Sequence, residues 1–174
     1  MSQPLYTVRQ LAYVVRDMDA ALKYWTEVLN VGPFFLLEHC PLDNQRYRGS
    51  PGNVDVNIAL GNSGALQIEL IQQNNDAPSV YKEFLDAGRE GVHHFGMMPT
   101  DYAAACAQYK ALGHEAAFEC DIGGAELVYF DTVDTVGHFV ELWENNDVFK
   151  GLFDLVEDAA VGWDGKDPVR PNPL

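Results

Sequence analysis

The stretch Gly91-Val92-His93-His94-Phe95-Gly96-Met97-Met98 decides the fold. It is typical of a buried strand, and it places an imidazole at the head of a motif that occurs twice. The other copy is Val8-Arg9-Gln10-Leu11-Ala12-Tyr13-Val14-Val15, in which Gln10 aligns with His94 at an offset of 84 residues (94 minus 10). The same offset aligns the apolar stripe that follows each strand at helical spacing. The sequence therefore predicts an internal repeat.

Each copy has the order strand, helix, strand, strand, strand. The first copy is predicted to have a strand at 6–15, a helix capped by Asp17, and strands at 34–40, 54–60 and 65–71. In the second copy a strand at 92–98 and a helix at 101–112 precede strands at 115–120, 126–131 and 137–143. Residues 41–53, rich in Pro, Asp, Asn, Arg and Gly, are expected to form a surface loop.

This order defines an α+β fold with four segments. We expect a first βαβββ module at 1–75, a linker helix within 76–90, a second module at 91–145, and a C-terminal helix and tail at 146–174. The C-terminal helix, about 148–160, carries one apolar face, and it can cover a sheet edge, close an active site or contact a second subunit. The turn-rich tail around Trp163-Asp164-Gly165 is expected to lie over the body of the protein, and the sequence leaves open whether it is an active-site lid or a dimer contact.

The net charge of −15, from 11 basic and 26 acidic residues, opposes binding to phosphate backbones. We therefore expect no nucleic-acid partner. The charge also disfavours a polyanionic substrate, although the pair Arg46 and Arg48 can hold a single phosphate or carboxylate.

Several features indicate a cytoplasmic protein that does not associate with a membrane. The sequence has no apolar run of 18 residues, and its first residues, Met-Ser-Gln-Pro, lack the pattern of a signal peptide. Its three cysteines, Cys40, Cys106 and Cys120, are an odd number without a CxxC pair, which fits reduced thiols better than disulfides.

Four polar side chains are predicted to share the face of the strands that the helices leave uncovered. Strand alternation puts Leu66, Ile68 and Leu70 under the first helix and therefore Glu69 on the other face. The same reasoning places Gln10, His94 and Glu141 on that face and turns His93 away from it. Each copy thus contributes one polar residue early in its first strand and a glutamate in its last strand.

Two glutamates on one apolar wall need a cation, because burying an unpaired carboxylate costs several kcal/mol. These strands carry no Lys or Arg on that face. We therefore expect Gln10, Glu69, His94 and Glu141 to bind a divalent metal ion such as Zn, Ni, Co, Mn, Fe or Mg. The alternative is that these four residues hydrogen-bond one another without a metal.

The repeat and these four positions resemble the vicinal oxygen chelate superfamily, also called the glyoxalase, bleomycin-resistance and dioxygenase superfamily. The resemblance covers about residues 5–145 and implies paired βαβββ modules that form a cup-shaped mixed sheet around a metal. The ligand set Gln, Glu, His, Glu is similar to that of some glyoxalase I enzymes. The His93-His94 pair and the linker helix look closer to methylmalonyl-CoA epimerases.

The resemblance implies a metal-dependent isomerase, epimerase or lyase that abstracts a proton next to a metal-bound carbonyl. Glu141 would be the base, Glu69 the second acid or base, and Gln10 and His94 permanent ligands. Positions that carry glutathione-binding basic residues in glyoxalase I hold Val14 and Glu90 here. We therefore expect a different small-molecule substrate, apolar or aromatic, in a cup lined by Phe139, Trp143, Met98 and Val14, and a homodimeric enzyme.

Two other functions belong to the same superfamily. Ring-cleaving dioxygenases hold Fe(II) with two His and one carboxylate, whereas His94 is the only histidine at a ligand position here. Metal-free binding proteins of the bleomycin-resistance type sequester a compound without turnover, and they usually lose the ligand residues that this sequence keeps.

Overall fold

A computed structural model describes residues 7–171 of the 174-residue chain. The predicted first strand started at residue 6, which lies outside these described residues. The predicted first module (1–75) and the predicted C-terminal segment (146–174) also extend beyond them. The helices are α1 (Met18–Lys23), continued by a π-helical turn (Tyr24–Val28), α2 (Val80–Asp86), α3 (Tyr102–Ala111), α4 (Val133–Val136) and α5 (Asp147–Ala160). The strands are β1 (Val8–Val14), β2 (Phe34–Leu37), β3 (Asp43–Tyr47), β4 (Ser50–Pro51), β5 (Val56–Ser63), β6 (Leu66–Gln73), β7 (Gly91–Met97), β8 (Ala116–Ile122), β9 (Ala125–Phe130), β10 (Phe139–Trp143) and β11 (Val169–Pro171).

Across the described residues these strands form one curved, unclosed mixed sheet in the order β11-β2-β5-β6-β1-β7-β10-β9-β8-β3-β4. The antiparallel pair β1 and β7 lies at its centre, with Ala12 opposite His94. On either side of this pair the order repeats, because β6, β5 and β2 match β10, β9 and β8. The predicted α+β fold and its cup-shaped mixed sheet are confirmed.

Both module helices pack on the convex face of the sheet, as alternation predicted. Met18 and Leu22 of α1 join Ile68 and Leu70 in one apolar cluster, and Ala105 of α3 joins a second cluster with strands β7, β9 and β10. Asp17 and Asp101 begin these helices as N-caps, and each accepts a hydrogen bond of 2.9 Å from the backbone N–H three residues on. The π-helical turn after α1 is closed by Leu29 N–H donating to Tyr24 C=O.

Residues 41–53 differ from the predicted surface loop. They form the hairpin β3–β4, which crosses from the first module and pairs antiparallel with β8 of the second. Arg48, in the turn of this hairpin, forms ion pairs of 2.6–3.0 Å with Glu83, Glu115 and Asp131. Because these carboxylates already hold it, Arg48 is not available to bind a phosphate.

The C-terminal segment covers two parts of the sheet. Helix α5 lies on the concave side and contacts β5 and β6, and β11 adds a parallel strand at the edge formed by β2. Trp163 lies against Gly32, where an added Cβ would be only 3.0 Å from the indole ring. The helix therefore covers the inside of the cup, and the tail covers the edge. No helix among residues 7–171 is long and apolar enough to span a membrane.

Candidate metal centre

Four neighbouring strands at the centre of the sheet bring the predicted residues together. Gln10 lies on β1, Glu69 on β6, His94 on β7 and Glu141 on β10. Their exposed fractions are 4%, 6%, 0% and 3%. Because β1 and β7 pair directly, one chain supplies all four side chains, and the group is complete without a second subunit.

The atoms that converge are one ring nitrogen and three oxygens. Oε2 of Glu69 and Oε2 of Glu141 each lie 3.2 Å from His94 Nε2 and 3.2 Å from Oε1 of Gln10. Ligand atoms bound to one divalent ion at about 2.0–2.2 Å are themselves roughly 2.8–3.1 Å apart in an octahedral site and roughly 3.3–3.6 Å apart in a tetrahedral one. The spacing of the four atoms therefore suits a single metal ion.

With Oε1 of Gln10 turned towards the carboxylates, hydrogen bonding among the four residues does not account for this arrangement. His94 Nε2 is buried and makes no hydrogen bond within residues 7–171, although both carboxylate oxygens lie 3.2 Å away. Oε1 of Gln10 faces two oxygens that are acceptors as well. Either a cation lies among these atoms, or the Gln10 amide turns over so that its NH₂ donates to both carboxylates.

Gln67 and Gln10 form a buried amide pair beside the centre. In the orientation with oxygen towards the carboxylates, Gln10 Nε2 donates to Gln67 Oε1 at 2.8 Å. Gln67 Nε2 is then left without an acceptor in the part of the chain that the structure describes. Sequence reasoning missed Gln67, although it lies two residues before Glu69 on β6 and alternation places it on the same face.

His93 is not among the converging residues but contacts His94 directly. Its Nε2 lies 3.2 Å from the carbonyl oxygen of Val80, and its Nδ1 lies 3.0 Å from His94 Nδ1. A carbonyl only accepts, so His93 Nε2 carries the proton of the neutral ring and His93 Nδ1 accepts from His94 Nδ1–H. This tautomer directs the Nε2 lone pair of His94 into the centre.

The electrostatics of the metal-free centre favour a bound cation. Burial lowers the pKa of His94, but the neighbouring Glu141 and Glu69 carboxylates outweigh this and raise it to about 9. Burial raises the pKa of Glu69, while His94 partly offsets the shift. Burial together with the charge of His94 holds the pKa of His93 well below its usual range.

A cavity adjoins the centre on the concave side. Trp143 lines it as predicted, whereas Phe139, Met98 and Val14 do not. Phe139 instead stacks on His93 with ring centroids 4.9 Å apart. The prediction failed for these three residues because alternation gives the face of a strand but not where the floor of a curved sheet ends.

Two tyrosines in the cavity wall were also missed. Tyr81 O–H donates to the Tyr129 hydroxyl at 3.0 Å, and the Tyr129 ring meets the His94 ring edge to face at 4.7 Å. Tyr81 comes from α2, so the linker helix supplies part of the site. Its sequence carries no motif by which this could be recognised. Cys40 and Cys120, both free, also line the cavity.

Fold and site together define a class of protein. It has two α+β modules whose first strands pair with each other, and its sheet carries a buried cluster of one histidine and two glutamates. Residues 9–129 match the family model described as the Glyoxalase/Bleomycin resistance protein/Dioxygenase superfamily. The chain belongs to this superfamily, as the sequence predicted. No curated protein matches the sequence.

Several solved structures share this fold at low sequence identity. A hypothetical protein from Bacillus halodurans C-125 has 18% identity and a TM-score of 0.57 over 81% of this chain and 95% of that chain. Methylmalonyl-CoA epimerase from Mycobacterium tuberculosis has 17% identity and a TM-score of 0.56 over 87% and 96%. A variant of the Streptomyces coelicolor epimerase, in complex with 2-nitronate-propionyl-CoA, has 18% identity and a TM-score of 0.60 over 82% and 96%.

Proposed function

We propose that the protein is a metal-dependent isomerase, epimerase or lyase that moves a proton next to a carbonyl group of a small substrate. The observation that carries this proposal is the convergence of Gln10 Oε1, Glu69 Oε2, His94 Nε2 and Glu141 Oε2 at spacings of 3.2 Å. These residues would hold one divalent ion, whose identity the donor set leaves open among Zn, Ni, Co, Mn, Fe and Mg. When bound, such an ion polarises a carbonyl and acidifies the neighbouring C–H.

In this proposal the two glutamates exchange protons with the substrate. Both line the cavity, and Oε1 of each accepts no hydrogen bond from any residue in the described part of the chain, so it is free to take a proton. Glu141 is the base that removes the proton from carbon. Glu69, whose pKa burial raises, delivers a proton to the other face when the product needs one. Gln10 and His94 keep their positions throughout.

Two competing functions are disfavoured by the same residues. Ring cleavage would use two histidines and one carboxylate, whereas the second histidine here, His93, is turned to His94 and the Val80 carbonyl. A metal-free binding protein would have no reason to bury Glu69 and Glu141 side by side. Membership of the superfamily and the epimerase neighbours agree with an isomerase.

The first experiment is the metal content of protein purified without added metal or chelator, measured by mass spectrometry beside the double variant Glu69→Ala, Glu141→Ala. We expect about one divalent ion per wild-type chain and none in the variant. No metal in the wild type, even after reconstitution, would overturn the proposal and favour the binding protein.

The second experiment tests proton transfer. We would incubate the metal-loaded protein in D₂O with a panel of α-hydroxy ketones and 2-branched thioesters and follow loss of the α-C–H signal by NMR. Glu141→Gln should keep the metal but lose exchange by about 100-fold or more. Glu144→Gln, three residues along and outside the centre, is the matched control and should retain exchange. Exchange that persists in Glu141→Gln would remove Glu141 as the base.

The proposed enzyme is cytoplasmic and homodimeric. Three free cysteines, two of them buried, suit a reducing compartment. Since one chain completes the centre, the dimer would stabilise the fold or the mouth of the cup rather than supply a ligand. Sedimentation at several protein concentrations measures the oligomeric state.

A further inference from the structure

Helix α5 fills the apolar half of the cavity beside the metal centre. Phe149, Leu152 and Phe153 on its inner face line the same cavity as Glu69 and Glu141. Phe153 packs on Trp143 with ring centroids 5.0 Å apart, and Phe149 lies 6.3 Å from the same indole. These side chains therefore lie where the apolar part of a ligand would have to lie.

The space that remains is too small for a substrate. The cavity has a volume of about 50 Å³, whereas a water needs about 10–15 Å³ and a cavity that holds benzene has about 150 Å³. A metal ion and a few waters fit in this volume, but an organic ligand does not. A ligand can reach the centre only after α5 moves.

One basic residue holds α5 at the mouth of the cup. Arg9, next to Gln10 on β1, forms an ion pair of 3.2 Å with Glu157 of α5, and its guanidinium lies 5.6 Å from the centre of the Phe153 ring. An irregularity of the β1–β7 register between Val8 and Gln10 accompanies this arrangement. The pair is more than a third exposed, so it contributes modestly and can open.

Both ends of α5 are connected to the body of the protein. Residues 144–146 join it to β10, and Asn146 caps it by accepting a hydrogen bond from Phe149 N–H. At the other end Gly162, with φ +67°, leads to Trp163, which packs on Gly32. Helix α5 is therefore anchored to the body of the protein at both of its ends.

The chemistry of the wall indicates what the open cavity would accept. Apart from Glu69 and Glu141 the lining is aliphatic, aromatic, thiol or amide, and it includes no Lys, Arg or His among the described residues. A phosphate or sulfonate would find no counter-charge there and would meet a chain of net charge −15. An aromatic or branched apolar group would replace the contacts that Phe149 and Phe153 make with Trp143.

We propose that α5 is a gate over the substrate cavity, latched by Arg9, and that it admits a ligand with an uncharged aromatic or branched apolar body whose oxygens reach the metal centre. This inference deepens the proposed function, on which it rests for the role of the centre. The apolar body of the substrate binds in the cavity under α5. When no ligand is bound, the side chains of α5 fill that space.

The test uses two fluorescent probes with one skeleton. N-phenyl-1-naphthylamine is uncharged, and 1-anilinonaphthalene-8-sulfonate adds a sulfonate. Stopped-flow mixing with the full-length protein, both as purified and after chelation, should give a rate for the uncharged probe that levels off with probe concentration at the opening rate of α5. The uncharged probe should bind at least about tenfold more tightly than the sulfonate, because burying an unpaired charge is costly.

Variants of the latch identify the gate. Glu157→Gln should raise the limiting rate about two- to fivefold, the range expected for loss of a partly exposed ion pair. Asp158→Asn removes the same charge one residue along, at an exposed position that forms no ion pair with another residue of 7–171, and should leave the rate unchanged. Phe153→Ala should tighten binding of the uncharged probe several-fold, because less side chain must leave the cavity.

The outcomes separate this inference from the proposed function. A probe rate that rises linearly without limit and is equal in wild type and Glu157→Gln would overturn the gate, even if the protein holds a metal and exchanges protons. Equal affinity for the two probes would overturn the ligand class. A saturating, latch-dependent rate in protein that never binds a metal would support the gate and overturn the isomerase.

Discussion

His93 and His94 are consecutive residues on one strand, yet their Nδ1 atoms lie 3.0 Å apart and both rings are buried. The hydrogen bond from His93 Nε2 to the Val80 carbonyl leaves His93 only an acceptor for its neighbour. The backbone of α2 thus fixes the tautomer of a side chain in the centre through an intervening ring. Partners of this kind orient metal ligands and raise their basicity.

We therefore expect His93→Phe to weaken metal binding about 10- to 100-fold with little change in stoichiometry at saturation. Phenylalanine keeps a ring in the buried space but removes the acceptor. Competition with a fluorescent chelator measures the affinity. His39→Phe is the control, because His39 is exposed and pairs with Asp55 away from the centre. Unchanged affinity in His93→Phe would show that His93 only fills space.

The metal-free protein should lose stability as the pH rises from about 6.5 to about 9. The pKa of His94 is about 9 in the folded protein and about 6.5 in an unfolded chain. Between these values the folded state binds more protons than the unfolded state, so the contribution is complete below pH 6.5 and disappears as the pH passes 9. The raised pKa of Glu69 acts in the same direction at lower pH.

Thermal unfolding of chelated protein between pH 6 and pH 9.5 measures this contribution, which we expect to be about 3 kcal/mol. The protein saturated with metal is the control, because a bound ion replaces the proton on His94 and the decline should vanish. The same competition makes metal affinity rise with pH over this interval. A metal-free protein whose Tm rises across it would contradict the raised pKa.

Gly96 is required by the packing of Trp143 in the floor of the cup. A Cβ at this position would overlap the indole ring of Trp143 and lie 3.0 Å from Gln10 Oε1. We expect Gly96→Ala to cost about 1–3 kcal/mol through overpacking and to weaken metal binding by displacing Gln10. Adding Trp143→Phe replaces the indole ring that the new Cβ overlaps. The double variant should therefore recover part of the lost stability and part of the lost metal affinity. Without that rescue, the overlap with Trp143 would not be the cause.

Period-two alternation placed Gln10, Glu69, His94 and Glu141 on one face because the opposite face of the sheet is covered by the module helices. The 84-residue offset added the internal repeat, which gives each module one polar residue in its first strand and a glutamate in its last. These two local signals predicted the repeat and the face that the polar residues share, and the resemblance to the superfamily supplied the cup-shaped sheet that brings the four side chains together.

Features that depend on distant contacts were not predictable in this way. The strand β3 is polar and mostly exposed, and its partner β8 comes about 70 residues later, so its sequence resembles a loop. Tyr81 reaches the centre only because α2 packs against His93 of β7. The position of α5 inside the cup follows from the curvature of the whole sheet, since its apolar face would suit an edge or a second subunit equally well.

Gly151 lies in the interior of α5, is exposed, and has nothing within 4 Å of an added Cβ. Gly151→Ala should therefore stabilise the closed helix by about 0.5–1 kcal/mol, which for a chain of this size raises Tm by roughly 1–4 °C.

The effect of Gly151→Ala on the opening rate of α5 distinguishes two motions. If α5 lifts as an intact helix, the limiting rate of the uncharged probe stays the same, because Ala stabilises the open and closed states equally. If α5 must unwind to open, that rate falls about two- to fivefold, in proportion to the added helix stability. A Tm that falls in Gly151→Ala would contradict the open surroundings of this residue.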